Sequence, residues 1–260
     1  NRRDRTAQPM TILLDLEARP VIGHRGAAAY APENTLTSFR KALDLGADAL
    51  ELDVRLTRDG RVVVHHDPDL DRCSNGRGPV HRLSAAELNE LDAGYHFVDE
   101  DGQLPFRGTG VRVPLLGQVI AEFPGVPLLI EVKERQVAGP LAELLENSGA
   151  AARSIVAGAD WRALTSFRQP PFTLGASERD IARLFFGYAR PDPRCRSYAV
   201  PFRHHRLRIP SRRLVTAAHR RGATVHVWTV DDTRNAWEVW QAGGNGIVTN
   251  RPDVIRAARG

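Results

Sequence analysis

Val21-Ile22-Gly23-His24, a helical pattern over residues 35–45, and Ala49-Leu50-Glu51-Leu52-Asp53-Val54 follow one another with only short links between them. This reads as strand, helix, strand. Two strands joined through a helix run parallel, because an antiparallel pair needs only a tight turn. Asn34 stands where it can cap the helix and Gly46 stands where it would stop. The alternation recurs along the chain. Further strand-like runs occupy 128–133, 154–159, 172–177, 197–201, 224–230 and 246–250, with helical patterns at 141–148, 211–220 (followed by Gly222) and 235–241. With the first two, these make eight runs, the number that closes an α/β (β/α)8 TIM barrel.

One run falls outside the count. Val62-Val63-Val64-His65-His66 follows the second strand across Thr57-Arg58-Asp59-Gly60, and Asp-Gly is a hairpin signal. It reads as a short extension beside the second barrel strand. Residues 67–117 are rich in Gly, Asp and Pro and carry one helical pattern, 84–91, opened by a Ser84/Glu87 capping box. The expectation is one barrel domain over residues 1–260, with 67–117 inserted over its mouth.

Composition narrows the classes. Hydrophobic residues make up 42% and charged residues 26%, ordinary for a globular protein. No apolar stretch approaches the roughly 18 residues that span a bilayer. The chain starts without Met, and Asn1-Arg2-Arg3-Asp4-Arg5 followed by the short Ile12-Leu13-Leu14 run is no signal peptide. The expected place is the cytoplasm, or outside the cell if an upstream signal was removed. Cys73 and Cys195 make neither a metal spacing nor a disulfide framework. The net charge of +5 is scattered without a dense basic run, so no nucleic-acid partner is expected. Of 36 basic residues only Lys41 and Lys133 are lysines. A lysine that survives such an arginine bias invites a role for a compact ammonium.

The chemistry is concentrated near strand ends. On a strand, residues i and i+2 share a side, so Glu51 and Asp53 project together, as do Glu131 and Lys133 in Leu129-Ile130-Glu131-Val132-Lys133. Carboxylates turned into a buried sheet repel and lose hydration, which a divalent cation relieves. Three oxygen donors suit Mg2+ or Ca2+ rather than zinc. Lys133 would then meet a phosphate oxygen. The bland alternatives are a solvated strand face and a Glu131–Lys133 ion pair.

Gly23-His24-Arg25-Gly26 lies at the carboxyl end of the first strand, where barrel active sites assemble. His24 could transfer a proton and Arg25 could hold a phosphate through its fork. His65 and His66 face opposite sides, and His66 is the candidate because it is last before the chain leaves the strand. His226 and Trp228 also share a side, and Trp228 could pack against a ligand's carbon skeleton or simply belong to the core. His204-His205, in an arginine-rich loop without acids, reads as surface.

Together these segments resemble the glycerophosphodiester phosphodiesterase family. The likeness runs through His24-Arg25-Gly26, Pro32-Glu33-Asn34-Thr35, Glu51-Leu52-Asp53-Val54, Leu56-Thr57-Arg58-Asp59-Gly60, His66-Asp67, Asp71-Arg72, Asn75-Gly76, Glu131-Val132-Lys133, Val227-Trp228-Thr229-Val230 and Gly246-Ile247-Val248-Thr249-Asn250. The resemblance implies a (β/α)8 barrel with a small insertion. It makes His24 and His66 the acid–base pair, assigns the divalent ion to Glu51, Asp53 and Glu131, and puts the phosphate on Arg25 and Lys133. The implied reaction splits glycerophosphodiesters into sn-glycerol 3-phosphate and an alcohol.

Asp92-Ala93-Gly94-Tyr95-His96-Phe97 and Pro105-Phe106-Arg107-Gly108 look like a branch with lysophospholipase D activities, so a lysophospholipid is the alternative substrate. A non-catalytic phosphate-binding barrel is the rival from another class. Four positions depart from the family pattern: Asp231, Asn245 and Asn250 exchange amide for acid or the reverse, and Gln118 replaces Glu.

Overall fold

Strands buried on both faces have to be covered by helices, and the eight apolar runs meet that requirement by closing on themselves. The structure is a computed structural model that describes residues 11–187, 190–204 and 207–260. His205 and the Asn1–Arg5 stretch considered as a leader lie outside them.

In chain order the elements are α1 (Thr11–Leu14), β1 (Val21–Gly23), α2 (Leu36–Asp44), β2 (Ala49–Leu56), β3 (Val62–Val64), α3 (Ala85–Asn89), α4 (Leu116–Glu122) and β4 (Leu128–Val132). Then come α5 (Ala138–Asn147), β5 (Ser154–Ala157), β6 (Thr173–Leu174), α6 (Glu178–Phe186), β7 (Ser197–Pro201), β8 (Arg203–His204) and β9 (Leu207–Arg208). The last are α7 (Arg212–His219), β10 (Thr224–Trp228), α8 (Thr233–Gln241), β11 (Gly246–Thr249) and α9 (Pro252–Arg259).

Eight strands pair in parallel in the order β6-β5-β4-β2-β1-β11-β10-β7. A parallel Gly175–Ser197 bridge joins the two ends of that path. Two backbone bonds support it, Ala176 N–H to Ser197 O and Arg196 N–H to Leu174 O, each 2.8 Å. The result is the (β/α)8 barrel. β3 pairs antiparallel with β2, Val64 opposite Val54, across a turn in which Gly60 takes φ +74; only glycine adopts that value without cost.

Two apolar layers follow from the strand period of two. Leu50, Leu52, Val54, Leu128, Ile130 and Val132 face outward against the helices. Ile22, Ala49, Leu129, Ile155 and Val248 form a second, separate cluster with Leu13 of α1, which closes one end of the barrel. The segment between β3 and α4 packs around its own cluster, including Leu70, Val80, Leu88, Val111 and Val113, joined to the barrel through Val63. Its α3 is opened by the Ser84/Glu87 capping box.

One local reading is corrected. Asn34 does not cap α2; Thr35 does, its side chain accepting from Ser38 N–H, while Asn34 turns to Asp53 as described below. Four helices, α1, α4, α6 and α9, had no counterpart among the sequence patterns. No helix among the described residues is long and apolar enough to cross a membrane.

Candidate active site

β2 and β4 are register neighbours with Asp53 opposite Glu131 and Glu51 opposite Leu129. Period two therefore sends Glu51 and Asp53 inward from one strand, and Glu131 and Lys133 from the next. The three acids converge: one carboxylate oxygen from each lies within 4.8 Å of the others. Glu51 and Asp53 are buried and Glu131 is partly open. Burial pushes the Glu51 carboxyl well above its ordinary value, and the charges of Asp53 and Glu131 push it the same way. Asp53 Oδ1 is buried and accepts no hydrogen bond.

Cations edge the cluster. Lys133 Nζ donates to Glu131 Oε1 at 2.9 Å and lies 3.4 Å from Asp53 Oδ1. Burial works against the ammonium, but Asp53 and Glu131 outweigh it and raise its pKa. Arg25 Nε lies 3.2 Å from Asp53 Oδ2, and Arg25 Nη1 donates to Glu33 at 2.8 Å.

The turn carrying Arg25 depends on Gly26, whose φ is +90 and whose added Cβ would meet Ser38 Oγ at 2.3 Å. Arg25 (φ 50) and Asn34 (φ 57) both hold left-handed backbone, a conformation costing non-glycine residues about 1–3 kcal/mol. Both are held there by the acids. Arg25 N–H donates to Glu51 Oε2 at 2.9 Å. Asn34 brackets Asp53, donating to its Oδ2 at 2.9 Å and accepting its N–H at 3.3 Å.

The two histidines sit in different surroundings. His24 ends the run of β1, its N–H donating to Thr249 O at 2.8 Å and its Nδ1 lying 2.7 Å from Asn250 Oδ1. Burial lowers its pKa, as does the Arg25 charge. His66 Nδ1 lies 2.6 Å from Asp67 Oδ1. Asp67 is bonded in turn to Arg72, and Arg72 makes a fork to Glu33 with both distances 2.7 Å. Glu33 thus joins Arg72 to Arg25. The neighbouring His65 is buried, its Nε2 3.1 Å from Asp69 O.

Trp228 stands at the end of β10 with 42% of its surface exposed. His226, on the same side two residues deeper, is a core residue. Its Nε2 donates to Leu13 O at 3.0 Å and its Nδ1 accepts from Gly246 N–H at 3.2 Å. Cys73 and Cys195 are unpaired thiols, as their spacing implied.

Several supporting residues were not assigned roles from the sequence. Arg55 grips the His66 carbonyl with Nε (3.0 Å) and Nη2 (2.8 Å), and Glu134 braces Arg55. Glu33, Asp67, Arg72, Asp231 and Asn250 stand on loops, where spacing gives no direction. Arg55 alone had a strand-period signal, continuing the inward series Glu51, Asp53. Two of the departures from the family pattern meet each other, because Asn250 Nδ2 donates to Asp231 Oδ2 at 2.8 Å. A third, Asn245, bonds Val225 N–H and His219 away from the acids.

Known proteins resemble this chain in sequence and in fold. YhdW of Bacillus subtilis, a provisional glycerophosphodiester phosphodiesterase, is 34% identical over 244 residues, covering 90% of this chain and 96% of its own. The crystal structure of a glycerophosphodiester phosphodiesterase from Agrobacterium tumefaciens superposes with a TM-score of 0.76 at 26% identity, covering 92% of this chain and 99% of that one. An Oleispira antarctica phosphodiesterase, solved with its product sn-glycerol 3-phosphate, shares the fold with a TM-score of 0.73 at 24% identity, over 93% of this chain and 97% of that one. Residues 24–254 match the Glycerophosphoryl diester phosphodiesterase family, and the chain therefore belongs to that family of phosphoric diester hydrolases.

Proposed function

We propose that this enzyme hydrolyses glycerophosphodiesters to sn-glycerol 3-phosphate and an alcohol at the barrel mouth, using one divalent cation, Mg2+ or Ca2+, held by Glu51, Asp53 and Glu131. The observation that carries the reading is the meeting of three carboxylates from two adjacent strands, with a buried Asp53 oxygen that accepts no hydrogen bond. Buried acids this close resist ionising together, and an all-oxygen donor set fits a hard cation. A bound divalent ion would offset the negative charge that develops on the phosphoryl oxygens.

Arg25 and Lys133 flank the acids and hold the phosphate, Arg25 as a fork and Lys133 as a point charge. His24 faces a neutral amide and its pKa is depressed, which suits a proton acceptor for the attacking water. His66 faces the Asp67 carboxylate, a partner that orients the ring to give a proton to the leaving oxygen. Trp228 lies against the glycerol or alcohol moiety. The barrel and the inserted segment 67–117 act as one unit.

The Oleispira antarctica product complex supports glycerol 3-phosphate as the released ester. The residues resembling the lysophospholipase D branch do not point to an acyl-chain groove. Phe97 and Phe106 stack edge to face at 5.3 Å, and Arg107 lies over Tyr95 at 4.3 Å, so these rings serve the segment's own packing.

The test is chelation followed by readdition of Mg2+, Ca2+ or Zn2+, with glycerophosphocholine and lysophosphatidylcholine in competition and glycerol 3-phosphate as the readout. Turnover should vanish with chelator, return with Mg2+ or Ca2+, and favour glycerophosphocholine. Full turnover in chelator would remove the acids' proposed role. Preference for lysophosphatidylcholine would move the substrate to the lipid class.

A further inference from the structure

We infer that Asp231 is a positioning residue for His24, fixing its tautomer through the side-chain amide of Asn250. The inference rests on the reading of His24 as the proton acceptor. Three adjacent barrel strands bring the parts together: His24 follows β1, Asn250 follows β11, and Asp231 lies just beyond β10, with the strands paired in that order. His24 is also tied to β11 by its backbone N–H bond to Thr249 O.

An imidazole offers its lone pair on one nitrogen only when the proton sits on the other. The neighbour of His24 Nδ1 is the side chain of Asn250, at 2.7 Å. An amide can present either a carbonyl oxygen or an NH2 group, and the choice sets the tautomer. Here Asp231 makes the choice. Its Oδ2 accepts from Asn250 Nδ2 at 2.8 Å, while its Oδ1 accepts from Asn250 N–H at 2.7 Å and from the Thr249 hydroxyl at 2.9 Å. Both carboxylate oxygens are thus used by donors, and the amide is held with its NH2 toward Asp231. Its oxygen is left facing His24. That oxygen can only accept, so the proton is on Nδ1 and the lone pair is on Nε2.

The device is specific to a carboxylate at 231. In Asp231→Asn, the new amide oxygen has to serve the Asn250 N–H and the Thr249 hydroxyl, so its NH2 meets the NH2 of Asn250. Two donors face each other, and the strain is relieved when the Asn250 amide turns over. His24 Nδ1 then faces an NH2 group and becomes the acceptor, with the proton on Nε2. In Asn250→Asp, two carboxylates face each other instead. The double variant Asp231→Asn/Asn250→Asp restores every donor–acceptor pair, with the carboxylate now bonded directly to His24 Nδ1.

The experiment uses the full chain labelled with 15N-histidine, the His24 ring signals being identified by their loss in His24→Ala. Tautomers are read without substrate, so they decide the matter even if the chain turns over no glycerophosphodiester. The parent should show Nδ1–H, D231N should shift to Nε2–H, and the double variant should return to Nδ1–H. With glycerophosphocholine, kcat of D231N should fall at least about tenfold, short of the roughly 10²–10⁴-fold that acid–base catalysis contributes in full. KM should change by no more than about threefold, as for a group acting in the chemical step. The double variant should recover most of the lost kcat. If D231N does not fold, N250D against the double variant poses the same question through the rate: both place a carboxylate at His24 Nδ1, only the double variant relieves the facing pair of carboxylates, and adding D231N must therefore raise kcat. A D231N enzyme with parental tautomer and kcat, or a double variant no better than its worse single, overturns the inference.

Discussion

A proton acceptor at a phosphodiester needs a free lone pair and a neutral ring, and His24 has the surroundings for both: a neutral amide beside Nδ1 and a pKa lowered by burial and by Arg25. Removing the ring should therefore remove chemistry while leaving the cation site in place. None of the three converging acids bonds to the His24 side chain; Arg25 N–H, Asn34 and Lys133 hold them. In His24→Ala the expected loss in kcat is about 10²–10⁴-fold, with Mg2+ or Ca2+ affinity, followed by calorimetry, close to that of the parent. Retained turnover would take His24 out of the reaction; lost cation binding would instead mean that it supports the acids. The acid cluster was legible from the sequence because the strand period gives side-chain direction. Asn34 was misread for the opposite reason: its left-handed loop backbone points the amide at Asp53, and no periodicity encodes that turn.

Among the elements, strands were read more faithfully than helices. All eight barrel strands occupy the apolar runs found in the sequence, though runs such as 128–133 and 246–250 extend beyond β4 and β11. The surplus residues, Lys133 and Asn250, lie just past the strand ends, Lys133 bonded to Glu131 and Asn250 beside His24. α4 begins after Leu115, which offers no capping side chain, and α9 begins with a proline; neither carries the polar start signal that announces a helix. α1 is the instructive miss. Ile12-Leu13-Leu14 is a short apolar run with no helical period of its own, yet Leu13 is fully buried among Ile22, Ala49, Leu129, Ile155 and Val248. A four-residue helix can matter this much because it closes the barrel end opposite the mouth. Leu13→Ala should cost about 2–5 kcal/mol, the range for a buried leucine truncated to alanine, seen as a lower urea midpoint with an unchanged slope. Its kcat and KM should match the parent's below the unfolding transition. A neutral effect on the midpoint would mean that α1 does not plug the barrel.

At the scale of the whole molecule, two ionisable groups at opposite ends of the barrel, His226 buried and Glu33 half-buried, make the fold sensitive to acid in successive pH ranges. His226, beneath the site and bonded to Leu13, is pushed by burial from 6.5 to about 4. The unfolded chain takes up a proton at this ring below about pH 6.5 that the folded chain refuses until about pH 4. Its contribution is therefore present above pH 6.5 and lost as pH falls through that window. Glu33, at the mouth, moves from 4.5 to about 2: burial opposes ionisation, but the bonds from Arg72 and the charges of Arg25 and Arg72 outweigh it. Its stabilisation is present above about pH 4.5 and is lost as pH falls toward 2. Each shift corresponds to about 3 kcal/mol as an order of magnitude, enough to be visible against a marginal total of roughly 5–15 kcal/mol. Urea midpoints measured in chelator at pH 7.5, 4.5 and 2.5 should fall in two stages. His226→Gln, which can still donate to Leu13 O and accept from Gly246 N–H, should flatten the upper stage alone. Glu33→Gln should flatten the lower one alone. If each variant kept the parent's full slope in its own window, the acid sensitivity would have to originate elsewhere in the molecule, and neither the burial of His226 nor the arginine pairing of Glu33 would be its cause.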